Sequence, residues 1–162
     1  MNKRDPFRSV DDDARRLAQR LIAEATFAAL AVVHGGVPSV TRIAFAITQE
    51  RAPLSLISDL SSHTQALNSH PTCALLVGEP EERGDPLTHP RLTLQATAEF
   101  ISHKDPAYEE LRAHYLHQRP KARLYIDFAD FRLVRFDVQT ALLNGGFGQA
   151  YKLVFQDLIT PV

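Results

Sequence analysis

The sequence contains one cysteine and no tryptophan, and what it lacks excludes several classes of protein. A lone Cys73 can form neither an intrachain disulfide nor a cysteine metal cluster. There is no basic excess, because 18 Lys and Arg residues stand against 19 Asp and Glu residues, so a nucleic-acid partner is not expected. No apolar run approaches the roughly 20 residues of a membrane span, and the N-terminus lacks the apolar core of a signal peptide. These absences predict a cytoplasmic protein without a membrane partner.

What remains is a globular composition, with 44% apolar and 23% charged residues in a chain of 162. This length is typical of one domain, and we predict a single domain over residues 1–162. Its N-terminal segment, 1–25, is predicted to be helical. Ser9 is the expected cap, and the acids at 11–13 suit the positive end of a helix dipole.

Extended runs dominate the rest of the chain. We predict a hairpin around Gly35-Gly36, a short helix over 61–70, and a second long helix that Asp105 caps and that ends before Pro120. A phase slip at Leu133–Val134 predicts a bulge. The predicted strands cover 27–34, 39–48, 52–59, 72–79, 91–102 and 130–143. Because strands outnumber crossover helices, the sheet should be mostly antiparallel and form a closed or partly open barrel.

The stretch "LISDLSSHTQAL" (56–67) places six hydrogen-bonding side chains between two apolar runs. A strand should end near Ser58, and a helix should begin at Ser61 or Ser62. The free N–H groups of His63 and Thr64 would then point out of the helix start, where anions bind. A capped helix with spare surface serines explains the same pattern, so the residues alone leave both interpretations open.

Five pieces in order resemble a known family: "SVTRIAFAI", "LSLISDLSSHTQALNSHPTCALLVGE", "GDPLTHPRLTLQATAEF", "DFADFRLVRF" and "LNGGFGQAYKL". Together they are similar to the FMN-binding split β-barrel proteins, the pyridoxamine 5'-phosphate oxidase-like family, and most of all to its haem-utilisation (HugZ-like) branch. The resemblance spans about residues 20 to 155. It implies a mostly β (α+β) fold, a six-stranded antiparallel split β-barrel with flanking helices. It also implies a homodimer with FMN at the subunit interface.

The resemblance assigns the cofactor-binding positions as well. Arg42 stands at the arginine that leads the flavin-side strand, and Ile43, Ala44 and Phe45 continue that strand. The next flavin contacts correspond to Ile57 and Ser58. The phosphate-binding turn corresponds to Ser62, His63 and Thr64, and the oxidase's basic pair falls on His63 and Thr64. Gln65 and Ala66 follow, where the haem-utilisation branch commonly has a basic residue and an asparagine.

Other motifs receive structural interpretations. Seven scattered histidines do not supply a third ligand to the pair His114 and His117, so no metal site is predicted. Cys73 is expected to be an inert core residue. Asp59 and Asp85 lie beside turns, where carboxylates accept backbone N–H bonds. The charged stretch 117–125 suggests a solvated helix end.

Three functions follow. The first is an FMN-binding flavoprotein that acts as an oxidoreductase on an unidentified small-molecule substrate. The flavin would supply the redox chemistry, so no catalytic side chain is assigned. The second is a haem-binding or haem-degrading protein. The third is a non-enzymatic flavin-binding module, or a member that has lost flavin, which the missing basic residues after Thr64 keep open.

Overall fold

In the computed structural model, one antiparallel sheet runs through the described residues, 5–162. Residues 1–4, the beginning of the predicted N-terminal segment, lie outside that range. The strands are β1 (Phe27–His34), β2 (Val37–Ala44), β3 (Ala46–Ile47), β4 (Pro53–Ser58), β5 (Thr72–Val77), β6 (Arg91–Phe100), β7 (Phe131–Asn144) and β8 (Ala150–Leu153). The helices are α1 (Asp12–Glu24), α2 (Ser62–Ser69), α3 (Tyr108–Gln118) and α4 (Phe155–Ile159). Two 3₁₀ helices cover Pro86–Thr88 and Pro120–Leu124.

The prediction of a mostly β, antiparallel fold is confirmed, and of the closed and partly open forms the structure has the open one. The sheet is a curled half-barrel of eight strands, so the predicted number of six strands was wrong. Its order is β2-β1-β5-β6-β7-β4-β3, and β8 pairs with β7. The run predicted as one strand, 39–48, is interrupted at Phe45, which separates β2 from β3. These two strands lie at opposite ends of the order although a single residue separates them. The additional strand, β8, follows a turn that contains glycines at 145, 146 and 148.

Local chemistry accounts for most element boundaries. The β1–β2 hairpin is closed by Gly35 and Gly36, both with positive φ, as a two-residue turn of this hand requires. The cap of α1 is Asp11 rather than Ser9, because its carboxylate accepts the N–H of Ala14 at 2.8 Å. A bulge is present in β7, the strand in which it was predicted, but at Gln139 and not at Leu133–Val134, because Gln95 pairs with Thr140 whereas Ala96 pairs with Val138.

Two hydrophobic cores lie on opposite faces of β4 and β7. The larger fills the inside of the curl and takes in the apolar faces of α1, α2 and α4. The smaller lies under α3 and the 3₁₀ helix that follows it, and is centred on Tyr115 and Leu133. Every residue of β4 from Pro53 to Ile57 is therefore buried. This double burial holds the end of β4, and the start of α2 beyond it, in a fixed place.

Candidate functional site

The start of α2 is an uncapped helix terminus. Ser61 is the N-cap residue but makes no side-chain capping bond, and the first turn carries no acid. The Thr64 N–H donates to the Ser61 carbonyl at 3.1 Å. Within residues 5–162, the N–H groups of Ser62 and His63 have no acceptor. The free donors are therefore those of Ser62 and His63, one position earlier than predicted, and they suit an anion.

His63 adds a side-chain donor or acceptor to this terminus. Its Nδ1 lies 3.1 Å from Thr41 Oγ1 on β2. Its Nε2 is buried and has no hydrogen-bond partner among the described residues. Desolvation lowers the pKa of His63, so the neutral ring is favoured. In either tautomer Nε2 is left without a partner, as a donor if Thr41 donates to Nδ1 and as an acceptor if Nδ1 donates to Thr41, and a buried polar group in that state is costly.

Two of the predicted cofactor ligands, Ser58 and Thr64, already have hydrogen-bond partners in the turn between β4 and α2. The Thr64 side chain is fully buried, and its hydroxyl donates to the Ser58 carbonyl at 2.7 Å. The Ser58 hydroxyl donates to Asp130 Oδ2 at 2.6 Å and accepts the Leu60 N–H at 3.1 Å. Both hydroxyls therefore hold the turn between β4 and α2 in shape. Asp130 was not singled out from the sequence, since nothing in its local pattern relates it to Ser58.

The flavin-side strand presents its residues to two different faces. Arg42 is exposed on the outside of the half-barrel, with its guanidinium carbon 4.9 Å from the centre of the Phe27 ring. Its neighbours Thr41 and Ile43 point to the inside, because strand side chains alternate. The structure thus brings Thr41 and His63 together and places Arg42 across an end strand from them. Arg42 can reach a ligand of the α2 start only around the free edge of β2.

The remaining candidates line the interior or the strand break. Ile43, Phe45 and Ile57 are buried, and Ala44 is half-buried. The Ala44 carbonyl accepts the Ser55 hydroxyl at 2.6 Å, which joins β2 to β4. These residues can contact a flat ligand through backbone groups and apolar edges. The cations near this segment are Arg42 and Arg119, which donates to the Phe45 carbonyl.

Asp59 has a different partner from the one predicted. Its carboxylate accepts the Arg132 Nε at 2.6 Å rather than a backbone N–H. The Arg132 guanidinium also stacks on the Phe100 ring, 3.9 Å from its centre. Asp85 behaves as predicted and accepts the Leu87 N–H at 2.9 Å. Neither carboxylate is free to act on a ligand.

The helix end at 117–125 is not simply solvated. Arg119 is half-buried, and its guanidinium donates to the carbonyls of Phe45 and Ala25. Sequence reasoning missed this contact because the residues are 74 and 94 positions apart. A possible signal was an arginine directly before Pro120, a position where a helix must end.

Similarity to known proteins is found among solved structures. No protein-family model matches the sequence, and no curated protein matches it. One solved structure without a descriptive name is 37% identical over 94% of this chain and 100% of its own, with a TM-score of 0.83. None of the helices in residues 5–162 has the length and apolar character needed to cross a membrane.

The named structures share this fold. The haem-binding protein from Mycobacterium smegmatis is 25% identical over 93% of this chain and 62% of its own, with a TM-score of 0.83. ChuZ of Campylobacter jejuni is 19% identical over 93% and 63%, with a TM-score of 0.81. The chain therefore spans less than two thirds of the length of both. A Clostridium acetobutylicum protein of the pyridoxinephosphate oxidase family is 12% identical over 92% and 99%, with a TM-score of 0.69.

The fold, the order of the matching motifs and these neighbours agree with one another. The chain has the split β-barrel fold of the pyridoxamine 5'-phosphate oxidase-like proteins and resembles their haem-utilisation (HugZ-like) branch.

Proposed function

We propose that this protein binds FMN, with the phosphate at the start of α2 and the isoalloxazine along the free edge of β2. The observation that carries the proposal is the pair of backbone N–H groups, of Ser62 and His63, that have no acceptor within residues 5–162. A phosphate monoester supplies acceptor oxygens for both. The residues therefore fit a phosphate by hydrogen bonding more than by charge.

The other predicted ligands have defined parts in this proposal. Arg42 would reach the phosphate around the free edge of β2 and contribute the fixed cation. The backbone of Ile43, Ala44 and Phe45 would run beside the ring system, with Ile57 behind it. Ser58 and Thr64 would act indirectly, by holding the turn that presents the donors. If the protein is an oxidoreductase, bound FMN would supply the electron or hydride transfer. The chain itself would bind and orient the FMN.

We also propose a homodimer. The outer face of β1, β2 and β5 is apolar but uncovered in the single chain. We call this surface the outer patch: it consists of Phe27, Ala29, Ala31, Val33, Val40, Ala74 and Leu76. Val40 is 67% exposed and Leu76 is 42% exposed. Arg42 borders the outer patch, so a partner subunit seated there would lie close to the proposed cofactor.

Haem binding is the second candidate function. It is favoured by the similarity to the haem-binding protein from Mycobacterium smegmatis, which is 25% identical and has a TM-score of 0.83. The unpaired His63 Nε2 does not decide between the two, because it is buried. A flavin-binding module without enzymatic activity is compatible with the same donor set. An absorbance spectrum of the purified protein separates flavin bands from a Soret band.

The sharpest test of the FMN site replaces one backbone donor. Ser62 is the first residue of α2, where proline is tolerated, and Ser61 before it is extended, with φ −80° and ψ 139°. Ser62→Pro removes the N–H and should weaken FMN binding about ten- to a hundredfold, the worth of one charge-assisted bond. Ser62→Ala keeps the N–H and is the matched control. Arg42→Ala should weaken FMN binding as well.

Riboflavin identifies the group that is recognised. It lacks the phosphate, so its affinity should be the same for wild type and Ser62→Pro in a fluorescence titration. Equal FMN affinity in wild type, Ser62→Pro and Arg42→Ala would refute the proposed site. A wild type that shows a Soret band with haem and no affinity for FMN would establish the second candidate instead.

A further inference from the structure

The break between β2 and β3 leaves backbone groups that no strand satisfies. At Phe45 the chain leaves its pairing with β1 and crosses to pair with β4. The Phe45 N–H still reaches the Thr26 carbonyl at 2.9 Å. The Phe45 carbonyl and the backbone of Ile47 have no strand neighbour for hydrogen bonding on their open side. Buried backbone groups need partners, and their loss is costly.

The partners come from the last turn of α3. The Gln118 side-chain amide accepts the Ile47 N–H at 3.1 Å and donates to the Ile47 carbonyl at 2.7 Å, as a neighbouring strand would. Arg119 donates from Nε to the Phe45 carbonyl at 2.6 Å and from Nη2 to the Ala25 carbonyl at 2.8 Å. One guanidinium therefore ties Phe45, the residue after β2, to Ala25, the residue after α1.

Arg119 is used here as a hydrogen-bonding fork and not as a charge. No carboxylate lies within ion-pair distance of it in the described part of the chain. Its third group, Nη1, donates to the Gln118 carbonyl at 2.6 Å. Three carbonyls in fixed directions match the planar donors of arginine and do not match the single ammonium of lysine.

We propose that Gln118 and Arg119 are positioning residues for the segment 42–47, which carries the residues assigned to the cofactor; the inference rests on the proposed FMN site. Because β2 is an end strand, the sheet supports this segment on one side only. The end of α3 supplies the other side. Without these contacts the segment beside the isoalloxazine would be mobile in the cofactor-free protein. Binding would then have to order it, and the entropy lost would lower the affinity for the cofactor.

The test compares three variants with wild type. Gln118→Met keeps the shape of the side chain and removes both bonds to Ile47. Arg119→Lys keeps the charge and removes the fork. Arg112→Lys is the matched control on the same helix, because Arg112 pairs with Asp127 at an exposed site away from the strand break. Hydrogen exchange is measured by mass spectrometry on cofactor-free protein, and FMN affinity is measured by fluorescence.

We expect exchange over 45–48 to be about tenfold faster in Gln118→Met and Arg119→Lys and unchanged in Arg112→Lys, since each hydrogen bond contributes about that factor. FMN affinity should fall about three- to tenfold in the first two variants only. Equal exchange in all four proteins overturns the inference, as does faster exchange with unaltered FMN affinity. A wild type that binds no FMN refutes the proposed function, while the exchange measurement still decides whether the end of α3 holds this segment.

Discussion

At the scale of single residues, His63 is the titratable group of the site, and its Nε2 has no partner among the described residues. Burial lowers its pKa from the usual 6.5, so the unfolded chain binds a proton at a higher pH than the folded protein does. The free energy of unfolding should therefore fall as the pH drops below about 6.5. His63→Gln should lack this part of the decline. Urea titrations of both proteins at pH 8 and pH 5.5 measure it, and equal losses in the two would contradict the assignment.

Cys73 is the other residue whose chemistry is set by burial. Its Sγ lies 3.6 Å from the Ala96 carbonyl, and desolvation raises the pKa of the thiol to about 12. A thiol of this kind is unreactive because the thiolate is the nucleophile. We expect no reaction with a thiol reagent at pH 8 in the native protein and one equivalent in denaturant. Rapid labelling of native protein would show that β5 opens.

At the scale of elements, substitution of two glycines with positive φ should separate the cost of backbone strain from the cost of a steric clash. A Cβ on Gly78 would lie 2.7 Å from the Pro90 carbonyl oxygen and 2.9 Å from the Arg91 Cα, whereas a Cβ on Gly36 meets nothing within 4 Å. Gly36→Ala should cost only the backbone strain, about 1–2 kcal/mol. Gly78→Ala should cost about 1–3 kcal/mol more, because backbone atoms must move. Denaturant unfolding of both variants checks the order, and equal losses would contradict the close contact.

Also at this scale, the strand break at Phe45 has a function in the proposed site. If residues 39–48 formed one continuous strand, the backbone groups that now pair with β1 and β4 would all face β1 on that side. The break lets the same segment pair with β1 before Phe45 and with β4 after it. The residues assigned to the flavin thus lie where the two ends of the curled sheet come together.

At the scale of the whole molecule, the proposed dimer can be tested through the outer patch. We expect light scattering to give twice the 18.1 kDa chain mass at micromolar concentration. Leu76→Lys should convert the protein to monomers, because it places a charge in the centre of an apolar interface. Leu87→Lys is the control, since Leu87 is 69% exposed on the loop before β6. A wild-type mass near that of one chain would exclude the dimer and any cofactor site shared between subunits.

The sequence by itself determined the elements whose causes are local. The Gly35-Gly36 hairpin, the alternating strand β6 and the helix after Ser61 follow from turn chemistry and periodicity, and the structure has them within a few residues of the predicted bounds. The motifs between residues 20 and 155 were enough to predict the split β-barrel fold that the solved neighbours share. Asp85 as a turn carboxylate was likewise predictable, because its partner Leu87 is two residues away.

Tertiary structure decided everything that depends on contacts distant in the chain. It separated β2 from β3, and it placed Arg42 on one face of β2 and His63 against the other. It engaged the hydroxyls of Ser58 and Thr64 in hydrogen bonds within the turn between β4 and α2. It also brought Arg119 to the Phe45 carbonyl across 74 residues. Side-chain type and spacing do not encode which face an end strand presents or which distant carbonyl needs a donor. Those are set when the sheet curls, because burial then forces each unpaired backbone group to find its partner.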